Sequence, residues 1–329
     1  MSDPGSVRPP TRGRFSVIVP TLQQARFLGR TLQSIFAQDD ADVEIIVQDG
    51  GSTDGTTEIL QQYVGRLRWE SRPDDGQTAA INAGLRKATG EYLCYLNSDD
   101  VFYPDALRKV HGYFVAHPEA DVIYGMADFI DEQDRLIGPF PIQPWNYADL
   151  LETNFVSQPA CFWRRSVYDR FGAFDETLHY TMDYEYWLRV GASTPFHFLA
   201  ERLAASRCHL STKTFGQGLR SHTEIVALLQ RYNDGRVPPR AIASYARHRA
   251  GVQLGQGYGP LVERSRFAAS YWYHLARLAP KVTRGGGRLL LQRIVPPYSS
   301  ARRRTEDPAG YLKADLALQI ARRAGERVA

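Results

Sequence analysis

The sequence predicts an α/β protein built on a mostly parallel, doubly wound sheet with helices on both faces, followed by a C-terminal helical region. Three observations predict it. Short β-branched runs alternate with stretches of helical spacing from Phe15 to Tyr124. Turn-forming or acidic residues follow each β run. After about Phe215 strand signals fade and the chain turns helical and basic.

The elements follow in order. Phe15-Ser16-Val17-Ile18-Val19, ended by Pro20, reads as a buried strand. Thr21 is placed to cap the helical spacing of Leu28, Leu32, Ile35 and Phe36. Val43 to Val47 is a second buried strand, and Asp49-Gly50-Gly51-Ser52 a loop. Thr53–Tyr63 and Thr78–Lys87 read as helices, with Gly90 marking the turn after the second. Tyr92–Leu96 is a strand ending at Asn97-Ser98-Asp99-Asp100. Pro104–His117 is helical, with Pro near the start, where its missing N–H does no harm. Val122-Ile123-Tyr124 is a further strand. From Trp145 to Trp187 the pattern loosens and aromatic residues crowd the chain. Ligands of such sheets bind at the carboxyl ends of the strands, so Asp49 and Asp99 should face one crevice.

Composition bounds the rest. Hydrophobic residues make up 43% and charged residues 23%, as in a globular protein with a sizeable core. The three cysteines form no CxxC pair, which leaves a disulfide framework or zinc site unsupported and fits a reducing compartment. No stretch approaches the roughly 18 to 20 apolar residues of a membrane span. A cytoplasmic location is expected, with room for peripheral contact on the inner face of a membrane. Residues 221–329 carry 19 Lys/Arg against 7 Asp/Glu, whereas residues 1–220 carry 21 against 29. An acidic front part speaks against nucleic acid as a partner, and a basic tail invites an anionic one. The expected division is a disordered stretch 1–13, a main α/β domain 14–220 and a basic helical region 221–329.

Five segments carry candidate chemistry. Asn97-Ser98-Asp99-Asp100, just past a buried strand, suits a hard cation such as Mg²⁺ or Mn²⁺, or simply caps the next helix. Asp49 to Thr56 (DGGSTDGT) offers backbone and side-chain groups to a base or ribose, or is a capped strand-to-helix loop. Arg72-Pro73-Asp74-Asp75-Gly76-Gln77, with Asn82 and Gly84, is a polar ligand-facing turn or a solvated one. Phe174-Asp175-Glu176 through Trp187 sets carboxylates among aromatics, where desolvation would make one a better base, or is an acid-capped helix packing in the core. Arg207, His209, Ser211, Lys213 and Thr214 suit a diphosphate, or form a polar loop.

Taken together, these segments resemble the family 2 inverting glycosyltransferases of GT-A fold. The pieces that carry the likeness are Val17-Ile18-Val19-Pro20-Thr21, DGGSTDGT, Asp74-x-Gly76 with Asn82-Ala83-Gly84, Ala88-Thr89-Gly90, Leu96 to Asp100, Gly172-x-Phe174-Asp175-Glu176, Asp183, and His209 with Lys213-Thr214. The likeness runs from about Phe15 to Thr214, nearly two-thirds of the chain. It implies a nucleotide-sugar donor, most readily a UDP-sugar, and a glycan or lipid-linked glycan acceptor in bacterial surface glycan synthesis. It implies Asp49 at the nucleobase beside Pro20 and Thr21, Asp74 at base or ribose, and Asn82 and Ser98 at the donor. Asp99 is implied as metal ligand for Mn²⁺ or Mg²⁺, Asp183 as catalytic base, and His209 and Lys213 as diphosphate ligands, with His209 also at the metal.

The chain departs from the family pattern at two places. Asn97 stands at the first position of the DxD motif, and Met182 precedes the base where Glu is usual. The QxxRW motif of processive synthases is absent, which favours single-sugar addition. A non-catalytic nucleotide-sugar-binding scaffold is the alternative. A nucleotidyltransferase is disfavoured, because Pro20-Thr21-Leu22-Gln23-Gln24 stands where its Gly-rich phosphate loop belongs. Acceptor-facing residues are expected between Trp145 and Trp187. The tail, with Phe267, Tyr271, Leu275 and Leu278 at helical spacing and many arginines, either docks on anionic lipid or packs on protein.

Overall fold

The computed structural model describes residues 11–38, 41–209, 212, 218–239, 241, 242, 245 and 273. They fall into two compact units: residues up to Trp145 together with Val156–Arg207, and Asn146–Phe155 together with the described residues from Cys208 onward.

The first unit holds β1 (Thr11–Thr21), α1 (Leu28–Phe36), β2 (Val43–Asp49), α2 (Thr56–Gln61), β3 (Arg68–Ser71), α3 (Gln77–Lys87) and β4 (Gly90–Tyr95). After these come β5 (Val101–Phe102), α4 (Ala106–Ala116), β6 (Val122–Ile130) and β7 (Leu136–Pro139). The second unit interrupts here with α5 (Tyr147–Leu150), and the first resumes with β8 (Cys161–Arg164), α6 (Arg165–Phe171), α7 (Met182–Gly191) and β9 (Phe196–Arg207). Among the described residues one sheet runs in the order β3-β2-β1-β4-β8-β6-β9-β5, with β7 on β6. The pairs β3–β2, β2–β1, β1–β4 and β6–β9 are parallel, and β8 and β5 enter antiparallel. The expected α/β architecture is present, with the antiparallel strands added to its later part.

Period-2 alternation along β1 decides which helix covers which face. Phe15, Val17 and Val19 point into a core shared with Leu28, Leu32 and Ile35 of α1 and with Val110 and Phe114 of α4. Ile18 points the other way, onto α3, where a Cβ added to Gly84 would lie 2.5 Å from Ile18 Cγ2. Gly84 is thus a close-approach residue between helix and sheet. Removing one of the fully buried leucines, Leu28 or Leu32, would cost about 2–5 kcal/mol. The cap of α1 differs from expectation: Phe27 holds the N-cap position without a side-chain bond, and Thr21 ends β1. The strand β1 also begins at Thr11, inside the stretch expected to be disordered.

The Ala88-Thr89-Gly90 motif has a structural explanation. Glu44 on β2 is buried and accepts from Ser16 Oγ at 2.5 Å, Thr89 Oγ1 at 2.9 Å, the Gly90 N–H at 3.0 Å and the Thr89 N–H. Arg68 Nη2 donates to it at 2.5 Å. A Cβ at Gly90 would lie 2.6 Å from the Arg14 carbonyl oxygen. This knot ties β1, β2, β3 and β4 at their amino ends, away from the strand termini where ligands bind.

The second unit, taken by itself, contains α5, whose Asn146 cap accepts from the Ala148 N–H at 2.8 Å, and the helix Gly218–Tyr232. Asn233 Nδ2 donates to the Leu229 and Leu151 carbonyls at 3.0 and 3.4 Å. Among the described residues no helix is long and apolar enough to cross a membrane. The tail residues from Arg264 to Arg304, with the lipid-docking expectation that rested on them, lie outside the described residues apart from Tyr273.

Candidate donor and catalytic site

Parallel pairing sets Thr21, Asp49 and Ser71 in one row across β1, β2 and β3. Asp49 is 2% exposed, and its carboxylate is spent on its own surroundings. One oxygen accepts from Ser52 Oγ at 2.5 Å. The other accepts from the Gly51 and Ser52 N–H groups at 3.2 and 2.9 Å and from Ser71 Oγ at 2.5 Å. The rest of DGGSTDGT binds the 21–25 turn: Gln23 exchanges bonds with Thr53, the Gln24 N–H reaches Thr56 Oγ1, and the Ala25 N–H reaches Asp54. Gly51, at φ +88°, lets the loop fold back on Pro73. Pro20 and Thr21 are buried beside it, and among the described residues Thr21 Oγ1 has no hydrogen-bond partner.

Beside this row lies a cavity of about 280 Å³, whose lining includes Asp49, Arg72, Pro73, Asp74, Ala83 and Glu176. Asp74 accepts from the Gly76 N–H at 2.8 Å, and its carboxylate flanks Gly50 together with Leu22, an exposed apolar side chain. Sequence reasoning gave Leu22 no role and carried Glu176 only within the Gly172-x-Phe174-Asp175-Glu176 piece; an apolar residue directly after a strand end is the signal that would have marked Leu22.

The Asn97–Asp100 loop follows β4 at the same edge. The Leu96 N–H donates to the Ile18 carbonyl at 2.9 Å, which levels this loop with the end of β1. Asn97 is the centre of an amide network. It accepts from Gln77 Nε2 at 2.7 Å and donates to Asp100 at 3.1 Å and to Gln158 at 3.2 Å. An Asp at this position could not donate to Asp100, which gives the departure at residue 97 a physical reason. Ser98 and Asp100 are buried, whereas Asp99 is half-buried. Burial, then the charge of Asp99, push the Asp100 carboxyl well above the usual carboxylate range, against the Arg207 N–H bond and the Asn97 bond.

Arg207, expected as a phosphate ligand, is instead enclosed, its side chain 0% exposed. A basic residue at a strand end looks the same in sequence whether it faces a ligand or buried carboxylates. Its backbone N–H donates to Asp100 at 2.9 Å, Nε to the Asp99 carbonyl at 2.8 Å, and Nη1 to the Asp131 carbonyl at 2.9 Å. Nη1 also pairs with Asp134 at 2.5 Å.

Asp183 stands in the first turn of α7, half-buried, with Tyr184 N–H donating to it at 2.7 Å. It belongs to the same edge of the sheet. After burial, its charge helps raise the Tyr95 phenol at the end of β4, and it also acts on the Cys161 thiol at the start of β8. Asn82, expected at the donor, is 1% exposed and spends its amide on the loop before α7. It accepts from the Phe174 N–H at 3.0 Å and donates to the Phe174 carbonyl at 2.9 Å and to Glu176 at 2.8 Å. The aromatic residues expected to face an acceptor are largely core. Phe155, Phe162, Trp163, Phe174, Tyr186 and Trp187 are all 0–3% exposed, with Tyr186 stacked on Phe174 at 4.3 Å. Glu185, also buried, is held by Arg189 through two bonds of 2.9 Å.

His209 lies in the second unit, 3% exposed, with its N–H donating to Thr212 Oγ1 at 3.2 Å. Lys213, Thr214 and Ser211 lie outside the described residues. Among the described residues no three His, Cys, Asp or Glu side chains cluster as a metal cage. The donor set still suits a hard divalent ion. Such ions are held through one or two carboxylates with substrate phosphates and water completing the shell, and Asp99 is a carboxylate on a firmly held loop.

Comparison with known proteins agrees with this geometry. The model of glycosyl transferase family 2 matches residues 16–192. An uncharacterized glycosyltransferase of Rickettsia conorii is 29% identical over 204 residues, 59% of this chain but 34% of that protein, so the chain spans about a third of that relative. A PGL/p-HBAD biosynthesis glycosyltransferase of Mycobacterium bovis is 31% identical over 53% of this chain and 68% of its own length. The structure of TarS residues 1–349 of S. aureus with UDP-GlcNAc superposes at TM-score 0.56 and 17% identity, covering 82% of this chain and 84% of that one. The mannosyltransferase PcManGT of Pyrobaculum calidifontis, with GDP-Man and Mn²⁺, does so at 0.55 and 17%, covering 97% and 90%. At such identity these likenesses speak for the fold, of GT-A type. With the family model covering more than half of its sequence, this chain belongs to glycosyl transferase family 2.

Proposed function

We propose that the chain is an inverting glycosyltransferase that moves one hexosyl or N-acetylhexosaminyl group from a nucleotide-sugar, a UDP-sugar foremost, to an acceptor hydroxyl. The observation that carries the reading is the gathering of Asp49, Asp74, Asp99 and Asp183 at the carboxyl edge of the parallel strands. The cavity bounded by Asp49 and Asp74 takes the nucleoside. Asp183 removes the proton from the acceptor hydroxyl. That oxygen attacks the anomeric carbon from the face opposite the nucleotide, the bond from that carbon to the diphosphate oxygen breaks, and the configuration inverts. A Mn²⁺ or Mg²⁺ ion on Asp99, when bound, supplies positive charge for the departing diphosphate. The resemblance assigns His209 and Lys213 to that diphosphate as well.

The acceptor is read as a glycan or lipid-linked glycan of a bacterial surface, made at the cytoplasmic side of the membrane. The support is the family together with the biosynthetic role in the names of the mycobacterial relatives. The test is nucleoside diphosphate release and binding in the same preparation. A positioned base is worth about 10²–10⁴ in rate, so Asp183→Asn should lose turnover by that factor while keeping its affinity for UDP. Near wild-type turnover in that variant would remove Asp183 from the chemistry.

A further inference from the structure

We infer that Arg207 is a positioning residue that sets the aim of Asp99 from behind and ties it to the acidic turn at 131–134. This rests on the reading of Asp99 as the carboxylate at the metal and diphosphate.

Arg207 holds the loop through its guanidinium and through its own backbone N–H. Nε grips the Asp99 carbonyl at 2.8 Å, and the Arg207 N–H grips Asp100 at 2.9 Å. Thr31 Oγ1 on α1 holds the Asp100 carbonyl at 2.8 Å, and Asn97 holds the Asp100 carboxyl from the far side. The loop is therefore fixed at two consecutive residues, and Asp99 on it is half-buried.

The other end of the guanidinium reaches the turn between β6 and β7. Nη1 donates to the Asp131 carbonyl and pairs with Asp134, and the plane lies 5.0 Å from the Phe27 ring. That turn is in turn fastened to the start of α1 by Arg30 on Asp134 and by Arg26 on Glu132 at 2.6 Å. A fully enclosed guanidinium costs several kcal/mol in desolvation, and well-packed apolar residues often serve stability better. Its planar fork, which a lysine lacks, serves geometry instead, because it can hold several oxygens in fixed directions at once.

Second contacts behind a metal ligand are typically worth about 10- to 100-fold in metal affinity. The test is calorimetric binding of UDP with and without Mn²⁺ to wild type, Arg207→Lys and Asp134→Asn. Arg207→Lys should weaken the Mn²⁺-dependent part of binding by about 10- to 100-fold and leave metal-free UDP affinity unchanged. Asp134→Asn, on the exposed side of the turn, should give a smaller loss of the same kind, and it keeps the test open should Arg207→Lys fail to fold. A merely structural role would lower the melting temperature without that split. A folded variant whose Mn²⁺ dependence equals wild type overturns the proposal. A wild-type chain whose UDP binding ignores Mn²⁺ sinks the reading of Asp99, and this proposal with it.

Discussion

Asp49 ends β2 and Asp99 lies in the loop after β4, at the same edge of one sheet, yet they are held in opposite ways. Asp49 spends its carboxylate on four donors of its own surroundings, so the acid shapes the loop. The Asp99 loop is shaped by other groups: Arg207 on its carbonyl, then Thr31, Asn97 and Arg207 on Asp100. In one loop the carboxylate is the scaffold. In the other the loop is held through the Asp99 carbonyl and through its neighbour Asp100. On the proposed function, the first of these aspartates builds the crevice and the second acts in it.

The sharpest way to break this contrast is to convert each acid to its amide. Asp49→Asn leaves one oxygen to accept and sets an NH₂ against N–H donors. With the site 2% exposed, the loss should be about 2–3 kcal/mol of stability. Asp99→Asn keeps the carbonyl that Arg207 holds, so its cost in stability should be smaller, while Mn²⁺-dependent UDP binding disappears. Thermal unfolding and calorimetry on both variants check this. Equal stability losses, or retained Mn²⁺ dependence in Asp99→Asn, would erase the distinction.

The same contrast explains what the sequence could and could not tell. Strands β1, β2 and β4 are buried on both faces, so they are continuous apolar runs and stand out. β3 is an edge strand reading Arg-Trp-Glu-Ser, and β5 has two residues, so neither carries a run to detect. β9 is long, but register shifts against β6 around Met126 break its alternation. At the site, Asp49 and Asp99 stand out in the sequence as acids just past strands, whereas Asp74 and Asp183 stand out only through the likeness to the family. What each polar group touches is not a pattern along the chain. Asn82 and Arg207 carry the chemistry of ligand contacts and serve the fold, and the aromatic crowding around Trp163 marks a core, because partners distant in sequence surround them.

A smaller effect comes from Glu44, a scaffold acid at the opposite edge. Burial raises its carboxyl, but bonds from Ser16 and Thr89 and the charge of Arg68 bring it below its ordinary value near 4.5. A lowered folded value means that its contribution is fully present above the ordinary value and is lost as pH falls through the folded one. Glu44→Gln should therefore be less stable than wild type at neutral pH, by up to about 3 kcal/mol, and the gap should close on acidification. Denaturant midpoints across that range measure it. A gap that stays constant with pH would mean that charge on Glu44 is not what holds the four strands.

The least disruptive probe is Ser71→Ala, which removes one donor from Asp49 and leaves the other three. Ser71 sits on the exposed edge strand, so the bond at 2.5 Å should be worth about 1 kcal/mol rather than the upper value for a charged acceptor. The substitution takes away no group assigned to the nucleotide. If Asp49 is a scaffold, stability falls slightly and UDP affinity is unchanged, because the Gly51 and Ser52 bonds keep the loop in place. If the carboxylate were poised for the nucleobase, losing the Ser71 bond would release an oxygen to the cavity and tighten UDP binding. The sign of the affinity change, not its size, separates the two roles.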